Sequence, residues 1–300
     1  MTMKRANFQS LLFEGLREVF FNALKEKDMI YKGIYDVRSS KKERETDQSI
    51  VGVGMLDLKE EGVGITYDDF TEGYSVDYIH DTFAKGIRIT EEMMEDDLYS
   101  VMNKRAQALA RSARYRMEYD HASLFNYANA TTIFTGGDGK ALIASDHPLA
   151  GSMGSTYSNL STSDLSLSAL ESATTIFRKM QDDNGLLVNI TPKTLLVPPE
   201  LEFDAYEILN SSGKPYTGDN EQNYFKGRFN VVVWDFLTDT DSWFLLADKS
   251  DGAPISFERV PISFKEDGDF DTGDLKIKAR CRYSFGFPDW RWICGSMGAG

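Results

Sequence analysis

Three short runs in this 300-residue chain carry side chains whose types and spacing could do chemistry. The first is Asp267-Gly268-Asp269-Phe270-Asp271-Thr272-Gly273-Asp274, where aspartates at alternate positions match the opening of an EF-hand calcium loop. The sixth loop position calls for glycine and is Thr272, and the twelfth calls for a bidentate glutamate and is Lys278. The run also joins two strand-like segments rather than two helices. A solvated acidic turn is therefore expected, and no metal ligand is assigned. The second run, GGDGKA at 136–141, is only loosely like a phosphate loop. The positions that need the first glycine and the hydroxyl are Phe134 and Ala141. A tight turn that uses glycine for positive φ accounts for it. The third, Ser145-Asp146-His147, holds triad residue types. Neighbours on an extended chain cannot align as nucleophile, base and orienter, and no GxSxG elbow is present. No catalytic residue and no cofactor follow from these runs.

Cys281 and Cys294 are the only cysteines and form no CxxC pair, which fits a chain folded in a reducing cytosol. His80, His121 and His147 are scattered without HxH or HxxxH spacing, so a zinc site from local ligands is not expected. The most specific electrostatic feature is Lys276, Lys278, Arg280 and Arg282, four cations at two-residue steps and hence on one face of a strand. Like charges so placed repel unless acids meet them. In a chain with 33 Lys+Arg against 47 Asp+Glu, net −14, the acids of a neighbouring subunit are a natural complement. A solvated strand face is the plainer alternative. A nucleic-acid groove is the lesser one, because nearby acids reduce its potential.

The elements that would position these residues can be read from periodicity. The hydrophobic share of 41% supports a core of ordinary size. No run of about 18 apolar residues crosses a membrane, and the interrupted start is not a signal peptide. Phe8, Leu12, Leu16, Val19, Phe20, Ala23 and Leu24 give an amphipathic helix over 6–27, packed either on its own core or on a neighbouring subunit. The polar stretch 39–49 reads as an exposed linker. Residues 50–58 and 62–70 read as two strands of a glycine-rich hairpin, a poor core element and a plausible flexible projection. Thr90 caps a long helix over 91–128, roughly 55 Å if unbroken, a spine for other layers; a break near Tyr119–His121 is an alternative. A Gly/Ser/Thr-rich surface loop follows at 151–163. Then come a helix over 164–182 capped by Ser163 or Asp164, a strand at 194–197, a helix from Pro198-Pro199 through Leu209, and a polar loop at 211–223. Strands follow at 229–234, 242–247, 255–264 and 274–286. In the last, Leu275, Ile277, Ala279, Cys281, Tyr283 and Phe285 oppose the basic stripe. The class is α+β.

The order of these motifs resembles the HK97-fold major capsid proteins of tailed phages, most closely the Mu-like major head subunits. The stretches that carry the resemblance are GIRITEEMMEDDL, GGDGKALIASDHP, TPKTLLVPPELEFDAYEIL, WDFLTDTDSWFLLAD, FDTGDLKIKARCRYSFGF and PDWRWICGSMG, in family-like order over residues 85–297. The resemblance implies an N-terminal arm at 1–49, an extended hairpin (E-loop) at 50–90, and a peripheral domain with spine helix at 91–150. It further implies an axial domain at 151–250 and returning peripheral-domain strands at 251–300. It implies a non-enzymatic subunit that assembles with itself, as hexamers and pentamers, into an icosahedral shell. That shell would enclose double-stranded DNA without binding it specifically, assemble in the host cytoplasm and form the virion capsid. Portal and decoration proteins are implied partners. Without a long scaffolding region before the arm, assembly would need a separate scaffold protein or none. Some members crosslink Lys to Asn between subunits. Lys59, at the hairpin tip, is a conceivable donor, with no acceptor or catalytic Glu identified; an exposed lysine on a turn needs no function. The inter-subunit contact candidates are thus Lys59, Lys276, Lys278, Arg280 and Arg282. Two other readings stay open: an encapsulin-like nanocompartment shell, and a cytosolic enzyme or cation-binding module using the 267–274 acids.

Overall fold

A computed structural model describes residues 6–68, 71–96, 99–150, 155–213, 222–269 and 271–298. Apolar residues at helical steps build the first layer. Leu16, Phe20 and Ala23 lie on one side of α1 (Ala6–Lys25) and are buried against Met102, Ala106, Leu109 and Ala110 of a long helix. The amphipathic helix expected over 6–27 therefore packs on its own core. A short α2 (Tyr31–Ile34) follows, then β1 (Asp36–Ser39) and β2 (Arg44–Val51). The stretch expected to be a linker at 39–49 is thus largely strand. Alternating exposure along β2 shows why composition misled: both faces of a ribbon that stands in solvent are polar.

β2 pairs antiparallel with β3 (Thr71–Ile79), and β4 (Asp81–Ile89) turns away to join another sheet. The hairpin is therefore 44–79, displaced from the expected 50–90. The segments expected as its strands, 50–58 and 62–70, form no ladder between 52 and 68. The spine is divided into α3 (Glu91–Glu95) and α4 (Tyr99–Asn126), with 97–98 outside the described residues. α4 is continuous through Tyr119–His121, and its 28 residues span about 42 Å.

Beyond the spine lie β5 (His147–Pro148), β6 (Thr156–Tyr157), β7 (Leu160–Ser161) and α5 (Leu167–Lys179). The α5 cap is Ser166, whose Oγ accepts from Ala169 N, in place of the expected Ser163 or Asp164. Then come β8 (Pro192–Val197), a 3-10 turn at Pro199–Leu201, α6 (Glu202–Asn210), β9 (Asn230–Val233), β10 (Trp243–Ala247), β11 (Ile255–Gly268), β12 (Leu275–Gly286) and β13 (Ile293–Ser296). Residues 151–154 of the expected surface loop and 214–221 of the polar loop lie outside the described residues. Among the described residues no helix is long and apolar enough to cross a membrane.

Two main sheets result, in the orders β1-β11-β12-β4 and β7-β13-β10-β8-β9. The 251–300 segment serves both: β11 and β12 lie in the first, while β13 sits between β7 and β10 in the second. β12 also joins the two cores. Its Leu275, Ile277 and Ala279 pack with α1 and the first half of α4, and its Cys281 and Tyr283 with the aromatic core. In that core Phe125 meets Trp234, Phe244 and Trp292 edge-on. Glu118 Oε2 accepts from buried Trp234 Nε1 at 2.8 Å, and burial raises its carboxyl pKa.

Candidate functional site: the projecting hairpin and the basic sheet face

The hairpin leaves the body at His80, between β3 and β4. Ser40 Oγ donates to Glu45 Oε1 at 2.7 Å, so it must accept from His80 Nε2–H at 3.1 Å. Nδ1 then accepts from Ser284 Oγ at 2.9 Å. This chain of bonds ties the start of the ribbon to β12, and burial lowers the imidazole pKa. Tyr78 packs beside Phe257 with ring centroids 5.1 Å apart. Higher up, the loop after the spine supports the ribbon. A Cβ on Gly137 would come within 2.8 Å of Tyr74 Cβ, so only glycine lets the two backbones approach.

Above Val51 the ribbon loses its ladder. Thr66 Oγ1 donates to Asp57 Oδ2 at 2.7 Å, and Gly54 N donates to Asp68 Oδ2 at 3.0 Å. Gly62 turns the tip at φ 80°. Lys59 is exposed there and makes no ion pair among the described residues. Around it Met55 (81% exposed), Leu56 (92%), Leu58 (93%) and Tyr67 (87%) stand in solvent. These large apolar side chains find no burial among the described residues of their own chain. The sequence reading found the projection through its glycines and overlooked these side chains, which were counted as strand residues.

The second surface is the open face of the first sheet. β12 alternates as expected: Leu275, Ile277, Ala279, Cys281 and Tyr283 are buried, while Lys278 and Arg280 are exposed and Lys276 and Arg282 half-buried. Phe285 departs slightly, being half-buried beside a buried Ser284. Register brings Arg88 of β4 beside Lys276, and Lys265 of β11 beside Lys278. Sequence reasoning missed both, because each lies on another strand. Lys276 Nζ bonds Asp269 Oδ2 at 2.5 Å, and this hydrogen bond holds the Asp269 carboxyl below its ordinary range. Arg88 Nε lies 3.5 Å from Asp274 Oδ2. The structure thus brings Lys276, Lys278, Arg280 and Arg282 together on one face, with Lys59 apart on the hairpin.

The three chemical runs resolve into turns and ties. In 136–141 Gly139 has φ 75°, and Asp138 Oδ1 accepts from Lys140 N at 3.0 Å. Ser145 and Asp146 are exposed, with Asp146 paired to Lys140, while His147 is buried. His147 Nδ1 meets Asp138 Oδ2 at 2.6 Å, and its ring stacks on Trp290 at 4.3 Å. Its Nε2 lies 3.2 Å from Asn159 Oδ1, so the ring ties loops together. The acidic turn points one carboxylate at Lys276, and among the described residues no group of three His, Cys, Asp or Glu could hold a metal. Cys281 and Cys294 are free and buried, and desolvation pushes their thiols up to about 11 and about 12. Such thiols are inert.

A family model described as "Phage capsid protein" matches residues 73–295. Solved structures share the fold at low identity. The procapsid of bacteriophage JBD30 is 16% identical with a TM-score of 0.55, over 98% of this chain and 76% of that one. The capsid structure of cyanophage P-SCSP1u is 11% identical with a TM-score of 0.59, over 91% and 89%. A virus-like particle from Pyrococcus furiosus is 10% identical with a TM-score of 0.53, over 94% and 98%. No curated protein sequence matches the chain.

Proposed function

The chain belongs to the phage capsid protein family and has the HK97-type fold, and from that premise we propose that it is a major head subunit whose copies close as hexamers and pentamers into an icosahedral shell around double-stranded DNA. The family makes shells, so the role is structural rather than enzymatic. The observation that carries the reading is the apolar hairpin tip: Met55, Leu56 and Leu58 have no core of their own within reach, and a neighbouring copy would cover them. At about 25 cal/mol per Å2, burying such side chains contributes several kcal/mol per subunit, repeated over every copy.

We read the four-stranded sheet with α4 as the peripheral domain, the five-stranded sheet with α5 and α6 as the axial domain, and 44–79 as the extended hairpin. Support comes from the separate strand orders of the two sheets and from the hairpin's independent ladder. The likeness to Mu-like head subunits rests on motif order alone. Assembly in the host cytoplasm, a portal, a scaffold and decoration proteins belong to the same proposal.

Electron microscopy and sedimentation of the purified chain test it. Closed particles or capsomers are expected, and a small oligomer alone would sink the reading. Nuclease-protected double-stranded DNA in particles from infected cells is the expected sign of an enclosed genome. Particles filled with protein cargo instead would favour a nanocompartment.

A further inference from the structure

The two cores part at one place along β12. Ala279 packs with α1 and the first half of α4, Cys281 packs with the aromatic core, and Ile262 of β11 touches both. The register of β11 on β12 shifts beside this point, between Val260 and Ser263. Pro261 lies in that shift and has no N–H to offer a neighbouring strand. Across the seam α4 supplies only Ser112 and Ala113 between Leu109 and Arg116, so small side chains meet on both sides. A cavity of about 260 Å3 results, lined by Phe83, Leu109, Ala113, Ile262, Ala279 and Cys281.

Its walls come from β4, β12 and β11, so it reaches two strand spacings, about 10 Å, beneath α4. An apolar cavity of about 150 Å3 stays dry and takes up benzene, and this one has room for a longer apolar group. Among the described residues no buried nitrogen or oxygen of a lining side chain lacks a partner, so water has no anchor inside. The mouth is different. β4 is an edge strand, and its Lys85 stands opposite Ala279 in register, on the cavity side. Lys85 is exposed and joins no ion pair among the described residues. Arg116 lies at the same mouth, its guanidinium 4.4 Å from the centre of the Phe83 ring and its Nε donating to Asp120 Oδ2 at 2.8 Å. Asp120 offsets Arg116, and the charge of Lys85 is left over. The next acid on that side of β4, Asp81, is four residues and about 13 Å away.

We propose that this cavity binds a medium-chain fatty acid, its alkyl chain filling the seam between α4 and the sheet and its carboxylate lying at Lys85. The lining asks for an apolar group that is long and narrow, and the unmatched ammonium asks for one negative charge at its outer end. Arg116 keeps N–H donors beyond Nε and adds a second partner for the carboxylate. Bound there, the chain would touch residues of both cores at once and stabilise the fold by joining them. The site lies within one subunit, so it goes beyond the shell reading and stands apart from it.

Calorimetric titration of the purified chain with sodium octanoate tests it. Octanoate should bind saturably, one per chain, and raise Tm. Octanol, which lacks the charge, should bind about tenfold more weakly. Hexanoate, two methylenes shorter, should bind about sixteenfold more weakly than octanoate, at about fourfold per methylene. Ala113→Leu fills the cavity and should weaken octanoate about tenfold or more, with the Tm of the unliganded chain at or above wild type. Lys85→Glu alters an exposed residue, so the variant should fold; it should reduce octanoate to the affinity of octanol and leave octanol unchanged. If Ala113→Leu unfolds by overpacking, the chain-length series and Lys85→Glu decide. Absence of saturable octanoate binding, or undiminished binding by a folded Ala113→Leu, overturns the site. Octanol binding as tightly as octanoate, or Lys85→Glu binding octanoate like wild type, overturns the placement of the carboxylate. Octanoate binding seen only after the hairpin is shortened across 54–64 makes the tip of a neighbouring copy the occupant and overturns the fatty acid.

Discussion

Each of the three histidines is a buried tie that holds together loops or layers. His121 is wholly buried. Its Nδ1 meets Met117 O at 2.6 Å, its Nε2 meets Ser256 Oγ at 2.8 Å, and its ring stacks on Tyr31 at 4.0 Å. Desolvation pushes its pKa from 6.5 to about 4. The unfolded chain therefore binds this proton first as pH falls. The contribution is fully present above about 6.5, is lost as pH falls through the window to about 4, and amounts to about 3 kcal/mol. His121→Gln should unfold at lower denaturant at pH 7, and its stability should change less between pH 6.5 and pH 5 than wild type. Equal slopes in denaturant titrations at the two pH values would count against this assignment. Nothing in the sequence distinguished His121 from a surface histidine, because its burial is made by Tyr31, Ser256 and Tyr283, up to 162 positions away.

At the scale of elements, periodicity was a good guide wherever one face met a core. α1, α5, α6 and β12 were legible because apolar residues recur at helical or alternate steps. Phe20 tests the placement of α1: it is wholly buried against Phe264, with ring centroids 4.9 Å apart. Phe20→Ala should cost about 3–5 kcal/mol of subunit stability. A loss below about 1 kcal/mol in denaturant titration would mean that the helix contributes little to its own subunit. The hairpin behaves in the opposite way. Shortening it across 54–64 should leave the circular dichroism spectrum and Tm close to wild type while particles are lost in negative stain, since these residues contribute little to either core. Normal particles, or an unfolded subunit, would contradict that. The hairpin's strands were misplaced because both faces of its paired part are polar, so 44–49 looked like linker, while the apolar residues within 52–68 looked like strand.

For the whole molecule, charge and connectivity decide more than any single site. The acidic turn at 267–274 is occupied by the chain's own Lys276 ammonium, so thermal unfolding should be indifferent to chelator. A fall of several degrees in Tm, reversed by calcium, would show a required cation instead. By itself the sequence determined the α+β class, the spine, the glycine-rich projection and the alternation that separates Leu275, Ile277 and Ala279 from Lys276, Lys278 and Arg280. These follow from side-chain periods of 3.6 and 2.0, which are local. Only the tertiary structure decided that β4 leaves the hairpin to flank β12, that β13 joins the other sheet, and that Arg88 and Lys265 complete the basic face. The physical reason is that strand order and register are set by pairing between segments far apart in the chain, where backbone hydrogen bonds are nearly indifferent to residue type. The choice among partners is made by which cores can close.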